Sequence, residues 1–349
     1  MTVLRVGVIG TGFGRQVQIP AFAAHPRARV VAVASATPGK AARVAAEFGI
    51  PEAYDDWRDL VRTDLDLVSI TPQPSTHQEM ALAGASAGRH ILCEKPMAVH
   101  AREAAEMVSA ASRAGVVNVI DFELRFNPNR RTIKTLIDDG FIGRPRHALL
   151  TVVGSGRSDP NRPWTWWADA AQGGGLLGAQ GSHQIDLLRY WLGDVEAVTG
   201  TVESFIPERP FEERMRRVTS DDFTSFVLRF RSGAVAVVIL SVVAAHAEGP
   251  RIEVWGDDGT LRLDAHERLW GARRGEDWRE LTQPETVEAP PGMDYGPLWG
   301  LSFVRITDHL VSAILDGAPV PPAATFEDGL AVQRVMDAVN ERRQSWHEV

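Results

Sequence analysis

Three glycines that follow a short apolar stretch near the start of the chain have the spacing to hold a pyrophosphate. Residues 5–20 read RVGVIGTGFGRQVQIP, an apolar strand followed by a glycine turn and a helical stretch. Backbone N–H groups at a helix N-terminus bind phosphate, and only glycine lets the chain approach so closely. We expect Gly10 to form the tight turn and Gly12 the close approach, whereas Gly14 stands one residue before the usual third position, which Arg15 occupies. The match to G-x-G-x-x-G is partial, and an ordinary strand-to-helix turn is the alternative.

The elements around this turn alternate between apolar strands and alanine-rich helical stretches up to about residue 122. The strands are expected at 5–9, 30–34, 67–70, 90–93 and 116–121. Such alternation predicts βαβ units, and therefore an α/β fold with a doubly wound parallel sheet of the Rossmann type.

The second part of the chain has a different pattern. From about 144 to 275 it contains consecutive strand-like runs joined by turn signals such as Ser232-Gly233, which predict a large, mostly antiparallel open sheet. Two helical stretches, at about 298–316 and 326–344, close the chain. Because 349 residues exceed what one core usually supports, we expect two domains. These are a Rossmann domain over 1–122 and an α+β substrate-binding and oligomerisation domain over 123–349.

Composition argues against several classes of partner. A net charge of −8 gives no basic field for nucleic acid or an anionic membrane. The single cysteine, Cys93, excludes a disulfide within the chain and fits a reducing compartment. No apolar run of spanning length and no room for a leader are seen, so a cytoplasmic location is expected. No cluster has metal-ligand spacing, so no metal site is expected.

A further group of motifs begins directly after the fourth of these apolar runs. Glu94-Lys95-Pro96 comes after HILC, and RFNP at 125–128, GGG at 173–175 and GSHQID at 181–186 come later in the chain. Together these segments resemble the Gfo/Idh/MocA family, named for glucose–fructose oxidoreductase and inositol dehydrogenase. The resemblance runs from end to end. It implies a nicotinamide-dependent oxidoreductase with the two-domain fold expected above.

The resemblance also implies functional residues. Lys95 and His183 are expected to meet over the reacting carbon, where a base takes the alcohol proton and an ammonium group polarises the oxygen. Taken alone, Lys95 could be an ordinary surface lysine and His183 a core histidine. The cofactor-binding positions implied by the glycine turn and the resemblance are Gly10, Gly12, Phe13, Gly14, Ser35, Thr37, Lys40, Thr71, Pro72, Glu94 and Lys95. The implied substrate positions are Arg125, Trp166, His183 and Asp186.

Some of these positions could instead have purely structural roles. Arg125 could form a plain salt bridge between the two domains. The tryptophans near the glycine cluster at 173–175, Trp166 among them, are interpreted mainly as packing residues and secondarily as a carbohydrate-stacking surface.

The end of the second strand bears on the choice of cofactor. Folds specific for NAD place an acidic residue there for the ribose hydroxyls, but this chain has Ser35, with Lys40 and Arg43 following. A serine with a following lysine resembles the NADP-using branch of the family. NADP is therefore expected, with NAD as the alternative.

One position departs from the family pattern. Many sugar and polyol dehydrogenases of the family have an aspartate four residues before the histidine, where this chain has Ala179. If 176–192 is one helix ended by Gly193, then Ala179, His183, Asp186 and Tyr190 form a single stripe lining the cleft. Either Asp186 or a substrate group must then act as the partner of His183, or the chemistry differs from inositol-type oxidation.

The sequence thus predicts an NADP(H)-dependent oxidoreductase that interconverts a secondary alcohol and a ketone on a sugar, polyol or related cyclic compound. Two alternatives stay open: a reductase of an unsaturated or imine-like substrate on the same fold, and a non-catalytic nicotinamide-binding regulator. The exposed face of the open sheet is expected to form a homodimer or homotetramer.

Overall fold

The computed structural model describes residues 2–341, and these form two compact units. Within the described residues the first unit comprises 2–127 with 286–333, and the second comprises 128–285 with 334–341. The division thus falls five residues later than the expected position after 122, and a late segment of the chain belongs to the first unit.

The strands and helices follow one another in the expected alternation in the first third of the chain. The strands are β1 (Leu4–Ile9), β2 (Ala28–Ala34), β3 (Glu52–Tyr54), β4 (Leu67–Ile70), β5 (His90–Cys93), β6 (Asn118–Ile120), β7 (Pro145–Val153), β8 (Val195–Glu203), β9 (Glu208–Phe211), β10 (Arg214–Arg217), β11 (Phe223–Phe230), β12 (Val235–Ser241), β13 (Gly249–Gly256), β14 (Gly259–Leu263), β15 (Leu269–Arg273) and β16 (Arg279–Glu280). The α-helices are α1 (Ile19–Ala24), α2 (Lys40–Phe48), α3 (Trp57–Arg62), α4 (His77–Ser86), α5 (Ala101–Ala114), α6 (Pro128–Asp138), α7 (Ser182–Leu192), α8 (Pro297–Asp316) and α9 (Phe326–Glu341).

The first unit contains a six-stranded sheet in the order β3-β2-β1-β4-β5-β6, with every pair parallel. Strand order reverses between β1 and β4, where doubly wound sheets bind their ligands beyond the carboxyl ends of the strands. The central strands are almost fully buried, which explains their continuous apolar runs. The predicted Rossmann-type fold is confirmed.

Helix α8 explains why residues 286–333 join the first unit. Its Phe303, Ile306 and Leu310 are fully buried and belong to the same core cluster as Leu4 and Val6 of β1. By length and composition α8 could cross a membrane, although only half of its most apolar window is buried. It is the exception to the expectation that no stretch reaches spanning length, and its packing assigns it to the core.

The second unit contains an eight-stranded sheet in the order β16-β15-β14-β13-β7-β12-β11-β8. All its neighbouring strands are antiparallel except β7 and β12, which are parallel. Along β11 buried and exposed residues alternate, so Phe226 and Leu228 lie inward and Val227 outward. The predicted large, mostly antiparallel open sheet is therefore confirmed.

Candidate active site

The glycine turn lies between β1 and a helical segment that begins as a π-helical turn, Gly14–Gln18, and continues as α1. Gly10 has φ of +102°, and a Cβ there would overlap Oγ1 of Thr71. A Cβ on Gly14 would lie only 3.0 Å from Cγ1 of Val8. A Cβ on Gly12 would meet nothing within 4 Å, so its backbone faces open space. Gly10 is thus required by its backbone conformation and packing, Gly14 is tightly packed, and Gly12 leaves room for a ligand.

This geometry explains the irregular motif. Close packing of helix on strand, which the third glycine of G-x-G-x-x-G usually permits, is here made possible by Gly14. Arg15 at the usual position turns outward and forms an ion pair with Glu47 of α2. Phe13 packs edge-to-face against Tyr295, with ring centroids 5.2 Å apart.

The end of β2 contains Ser35, which is buried. Its Oγ accepts hydrogen bonds from Thr11 Oγ1 at 3.1 Å and from the N–H of Thr37 at 3.4 Å. Lys40 is half-buried at the first position of α2, and Arg43 is exposed one turn later. Among residues 2–341 neither cation forms an ion pair within 4 Å. Two cations that have no ion-pair partner in the described part of the chain therefore follow the end of β2.

The carboxyl ends of β4 and β5 place the next group of predicted residues. Thr71 directly follows β4, and its N–H and Oγ1 both donate to the carbonyl oxygen of Ile9, each at 2.9 Å. The carbonyl oxygen of Pro72 lies 3.1 Å from Nε2 of His77. Glu94 directly follows β5 and donates its N–H to Ile70. Lys95 comes next, half-buried, and its N–H donates to Oε2 of Glu94 at 3.2 Å.

A buried cluster of carboxyl groups adjoins Glu94, and the sequence analysis missed it. We call Glu94, Asp121 and Glu123 the carboxyl cluster; all three are less than 10% exposed. Gln18 Nε2 donates to Glu94 at 2.9 Å and to Asp121 at 3.3 Å, and Ser69 donates to Oε1 of Gln18. Asp121 directly follows the apolar strand β6. An acidic residue at the carboxyl end of a buried strand was the feature of the sequence that could have indicated this cluster.

Burial and mutual repulsion set the ionisation of the carboxyl cluster. Burial raises the pKa of Glu94. Burial, and then the charge of Glu94, raise the pKa of Asp121 well above the ordinary value. The same two causes raise the pKa of Glu123 to about 8, while the positive charge of Lys95 lowers it. Glu123 therefore keeps its proton near neutral pH, in a cluster that adjoins Lys95.

Arg125 is buried in a short helical turn, Glu123–Phe126. Its guanidinium forms an ion pair with Asp328 of α9, with the Nη2–Oδ1 distance at 3.3 Å, and donates to the carbonyl oxygen of Pro322. Asp328 and Pro322 both belong to the late segment of the first unit. The structure thus includes a plain salt bridge of Arg125, but it lies within the first unit and not between domains, as the alternative to substrate binding had it.

In the second unit, the predicted helix over 176–192 begins as a π-helical turn, Leu177–Gly181, before α7 starts at Ser182. The N–H of Ser182 bonds to the carbonyl oxygen of Leu177, five residues back. This wider turn places Ala179 outside the α-helical spacing that the stripe assumed. His183 and Asp186 are both 1% exposed, on the first two turns of α7. The helix ends, as predicted, at Gly193.

The tryptophans near the glycine run 173–175 divide into two kinds. Trp164 is buried with Ala168 and Val218, and Trp191 donates from Nε1 to the carbonyl oxygen of Arg130. Trp166, in contrast, is 42% exposed. Packing accounts for Trp164 and Trp191, and Trp166 has an indole face available.

Comparison with known proteins identifies the family. Residues 4–122 match the model described as oxidoreductase family, NAD-binding Rossmann fold, and residues 130–262 match the GFO/IDH/MocA C-terminal domain. The chain belongs to the Gfo/Idh/MocA oxidoreductase family. The expected family is confirmed, and the glycine turn lies within the residues that match the NAD-binding Rossmann model.

Two named relatives of this Gfo/Idh/MocA chain are dehydrogenases. It is 31% identical to levoglucosan dehydrogenase of Pseudarthrobacter phenanthrenivorans, covering 100% of this chain and 99% of the relative. It is 27% identical to myo-inositol 2-dehydrogenase of Thermotoga maritima over 75% of each chain.

Solved structures agree. A levoglucosan dehydrogenase in complex with NADH and L-sorbose superposes with a TM-score of 0.89 at 29% identity, covering 98% of this chain and 97% of that one. An oxidoreductase domain protein from Kribbella flavida superposes with a TM-score of 0.90 at 31% identity, covering 99% and 98%.

Proposed function

We propose that this chain is an NADP(H)-dependent dehydrogenase that interconverts a secondary alcohol and a ketone on a sugar or polyol. The substrate class is supported by the relatives named levoglucosan dehydrogenase and myo-inositol 2-dehydrogenase. The observation that carries the proposal is the glycine turn, where packing requires Gly10, is tight at Gly14 and leaves open space at Gly12. A dinucleotide pyrophosphate needs that combination of a rigid turn and a bare backbone.

The choice of NADP over NAD rests on the end of β2. Ser35 has no charge to repel a 2′-phosphate, and Lys40 and Arg43 follow it. An acidic side chain is also near, because Oδ1 of Asp55 accepts from the N–H of Gly39 at 3.2 Å. That hydrogen bond orients Asp55 toward the start of α2. We therefore assign discrimination to the ammonium of Lys40, with Thr37 and the hydroxyl of Ser35 as polar neighbours.

Proton transfer is assigned to Lys95 and His183. The chain has only three lysines, Lys40, Lys95 and Lys134, among 37 lysines and arginines, so lysine is not its usual surface cation. An ammonium group can polarise a substrate oxygen and also give up its proton, which a guanidinium cannot do. An imidazole with a pKa near neutral is suited to take the alcohol proton. The bound nicotinamide would supply the hydride acceptor.

The other residues predicted from the sequence are assigned either to the cofactor or to the substrate. Those assigned to the cofactor are Gly10, Gly12, Gly14, Phe13, Thr71, Pro72 and Glu94. Trp166 and Asp186 are kept for the substrate, Trp166 because its indole is exposed. For Arg125 the ion pair with Asp328 favours a structural role.

A fluorescence titration with NADPH and NADH tests the cofactor proposal. We expect NADPH to bind the wild-type protein more tightly than NADH. Lys40→Ala should weaken NADPH binding by about tenfold, the loss of one charge contact to phosphate, and leave NADH binding unchanged. Arg29→Ala is the matched control, because Arg29 is an exposed cation near the start of β2, at the opposite end of that strand from Ser35. Tighter binding of NADH would overturn the NADP assignment, and the absence of binding by either would overturn the dehydrogenase.

We also propose a homodimer or homotetramer formed through the open face of the second unit's sheet. Val227 and Val237 are register partners on β11 and β12, and both have more than a third of their surface exposed. Adjacent exposed valines on a sheet face favour association. Light scattering on Val227→Lys should show smaller particles than the wild type; an unchanged mass would exclude this face.

We propose a cytoplasmic location, on the basis of the number of cysteines and the environment of the one present. The one cysteine, Cys93, is buried, and burial raises its pKa well above the ordinary value, as expected of an unreactive thiol. Fractionation of expressing cells would test this, and recovery from an oxidising compartment would overturn it.

A further inference from the structure

Three arginines of the second unit lie together in and beside the segment that follows β7. Arg209, on β9, is 2% exposed and donates to the carbonyl oxygens of Asp159 and Arg157, at 2.8 and 2.7 Å. Arg162 donates from Nη1 to the carbonyl oxygen of Gly156 at 2.7 Å. These bonds hold the backbone on both sides of Arg157 in a defined position. We call Arg157, Arg162 and Arg209 the arginine cluster.

Arg157 differs from the other two arginines because, among the described residues, its guanidinium stacks on an aromatic ring but donates no hydrogen bond. Its guanidinium carbon lies 3.7 Å from the ring centroid of Trp167, so one face of the group is stacked on an indole. Among residues 2–341 no carboxylate lies within 4 Å of it, and no hydrogen bond engages its side chain. A half-buried guanidinium stacked on one face keeps its N–H edges available for a bidentate acceptor.

The charge balance around Arg157 favours an anion. Burial, and then the positive charges of Arg162 and Arg209, lower the pKa of Arg157 to about 10. The charges of Asp222 and, to a smaller extent, Asp159 lower the cost of burying Arg209. Both carboxylate oxygens of Asp222 already accept backbone N–H groups, from Phe205 and Ile206. Three like charges so placed are unfavourable alone, and a bound oxyanion would relieve their repulsion.

The arginine cluster is joined by direct packing to the segment that leads to His183. The carbonyl oxygen of Trp167, the residue on which Arg157 stacks, accepts from Ser220 at 2.9 Å and leaves no room for a Cβ on Gly174. The next residue, Gly175, accepts from the N–H of Ala179 in the π-helical turn that precedes α7. The cluster and His183 thus belong to one continuous part of the second unit.

We propose that the arginine cluster binds an oxyanion on the substrate, so that the substrate is an acidic sugar, bearing a carboxylate or a phosphate ester. This inference rests on the proposed sugar dehydrogenase function and narrows its substrate class. Arg157 makes the contact, whereas Arg209 and Arg162 hold the segment and add positive charge. A planar guanidinium with free edges matches the two oxygens of either group.

Binding of matched sugars to the full-length protein tests the proposal without any need for turnover. The probes are glucose, glucuronate and glucose 6-phosphate, with inorganic phosphate to measure binding of an ion alone. Calorimetry would be run on the wild type, on Arg157→Met and on Arg157→Lys. Arg216→Met is the matched control, because Arg216 stacks on Trp164 at 3.5 Å in the same way but is outside the cluster.

We expect one acidic sugar to bind the wild type at least about tenfold more tightly than glucose, the effect of one charge-assisted bidentate contact. Arg157→Met should remove this preference, Arg157→Lys should retain part of it and Arg216→Met all of it. Whether glucuronate or glucose 6-phosphate binds more tightly identifies the carboxylate or the phosphate. Equal binding of glucose and both acids, or a preference that survives in Arg157→Met, would overturn the proposal. Binding of inorganic phosphate with no preference among the sugars would also overturn it.

A parallel NADPH titration separates this inference from the function on which it rests. If the wild type prefers acidic sugars, Arg157→Met loses that preference and neither protein binds a nicotinamide cofactor, the oxyanion site is retained and the dehydrogenase is rejected. Cofactor binding and turnover of neutral sugars only would retain the dehydrogenase and reject the oxyanion site.

Discussion

Glu94 and Asp121 accept hydrogen bonds from the same donor, Nε2 of Gln18, at 2.9 and 3.3 Å. They stand at the carboxyl ends of the neighbouring strands β5 and β6, whose pairing brings both carboxyl groups to one buried point. Glu123 is the third member of this carboxyl cluster, and Lys95 follows Glu94 directly. The ionisation of buried acids is thus coupled in space to the lysine that we assign to proton transfer.

The carboxyl cluster should make stability fall as the pH rises. The pKa of Glu123 is raised to about 8, so below that pH the native state keeps a proton that the unfolded state has already lost above its ordinary pKa. The free energy of unfolding therefore decreases as the pH rises through this window. In Glu123→Gln the decrease between about pH 5.5 and about pH 8.5 should be smaller by at least about 1 kcal/mol.

Urea denaturation at the two pH values measures this difference. Glu106→Gln, at an exposed position on α5, is the control and should behave as the wild type. An equal pH dependence in Glu123→Gln and the wild type would mean that Glu123 ionises normally.

Gln18 should be required for stability although it lies beside a proposed binding site. It is fully buried, and its amide joins Ser69, Glu94 and Asp121. Gln18→Leu would leave buried polar groups without their partner, at a cost of about 1–3 kcal/mol. Gln16→Leu changes a half-buried glutamine of the same turn and is the control. Thermal unfolding of both variants measures the difference, and equal melting temperatures would contradict this role.

Two glycines of the same turn should respond to alanine in opposite ways. Gly10→Ala forces a positive φ and an overlap with Thr71, so it should destabilise the fold by more than about 1 kcal/mol. Gly12→Ala meets no atom of the chain, so its stability should be unchanged while dinucleotide binding falls at least about tenfold. Calorimetric melting and NADPH titration of both variants provide the test. Normal cofactor binding by Gly12→Ala would remove the turn from the site.

Much of the first unit was predictable because its strands are continuous apolar runs bounded by glycine. Strand β3 was missed because Glu52–Tyr54 is a short edge strand without buried side chains, so it has no periodic signal. The sequence did not indicate that residues 286–333 belong to the first unit, because the apolar pattern of α8 is compatible with packing in either core. That choice depends on Phe303 and Ile306 packing against β1.

The candidate site was also only partly predictable from the sequence. Local motifs indicated Lys95, Glu94 and His183. Gln18 and Asp121 lie 103 positions apart and have no motif in common, so only the packing of the helical turn Gly14–Gln18 against the sheet brings them together. The π-helical turn at Leu177–Gly181 also had no signal, because the sequence there is compatible with an ordinary helix.

Arg125 and Asp328 should act as a structural pair. Their side chains are 7% and 28% exposed, and the ion pair joins residues 203 positions apart. Removing one partner leaves a largely buried charge, so Arg125→Ala and Asp328→Ala should each lose about 3 kcal/mol of stability. The double variant should lose less than the sum of the two losses. Denaturation of the three variants measures the coupling. Normal stability with a raised KM in Arg125→Ala would instead assign Arg125 to substrate binding.

Lys95 should be needed for turnover rather than for folding or cofactor affinity. Lys95→Met removes the ammonium group, so kcat should fall by about 10² to 10⁴, the usual effect of a missing proton-transfer group. Lys95→Arg keeps the charge but cannot release a proton, so its kcat should stay low, and both variants should bind NADPH as the wild type does. Lys134→Met is the control, since Lys134 pairs with Asp138 on α6. Steady-state kinetics with a sugar panel and NADP would show the division. Full activity in Lys95→Arg would reduce Lys95 to a fixed positive charge, and full activity in Lys95→Met would remove it from the reaction.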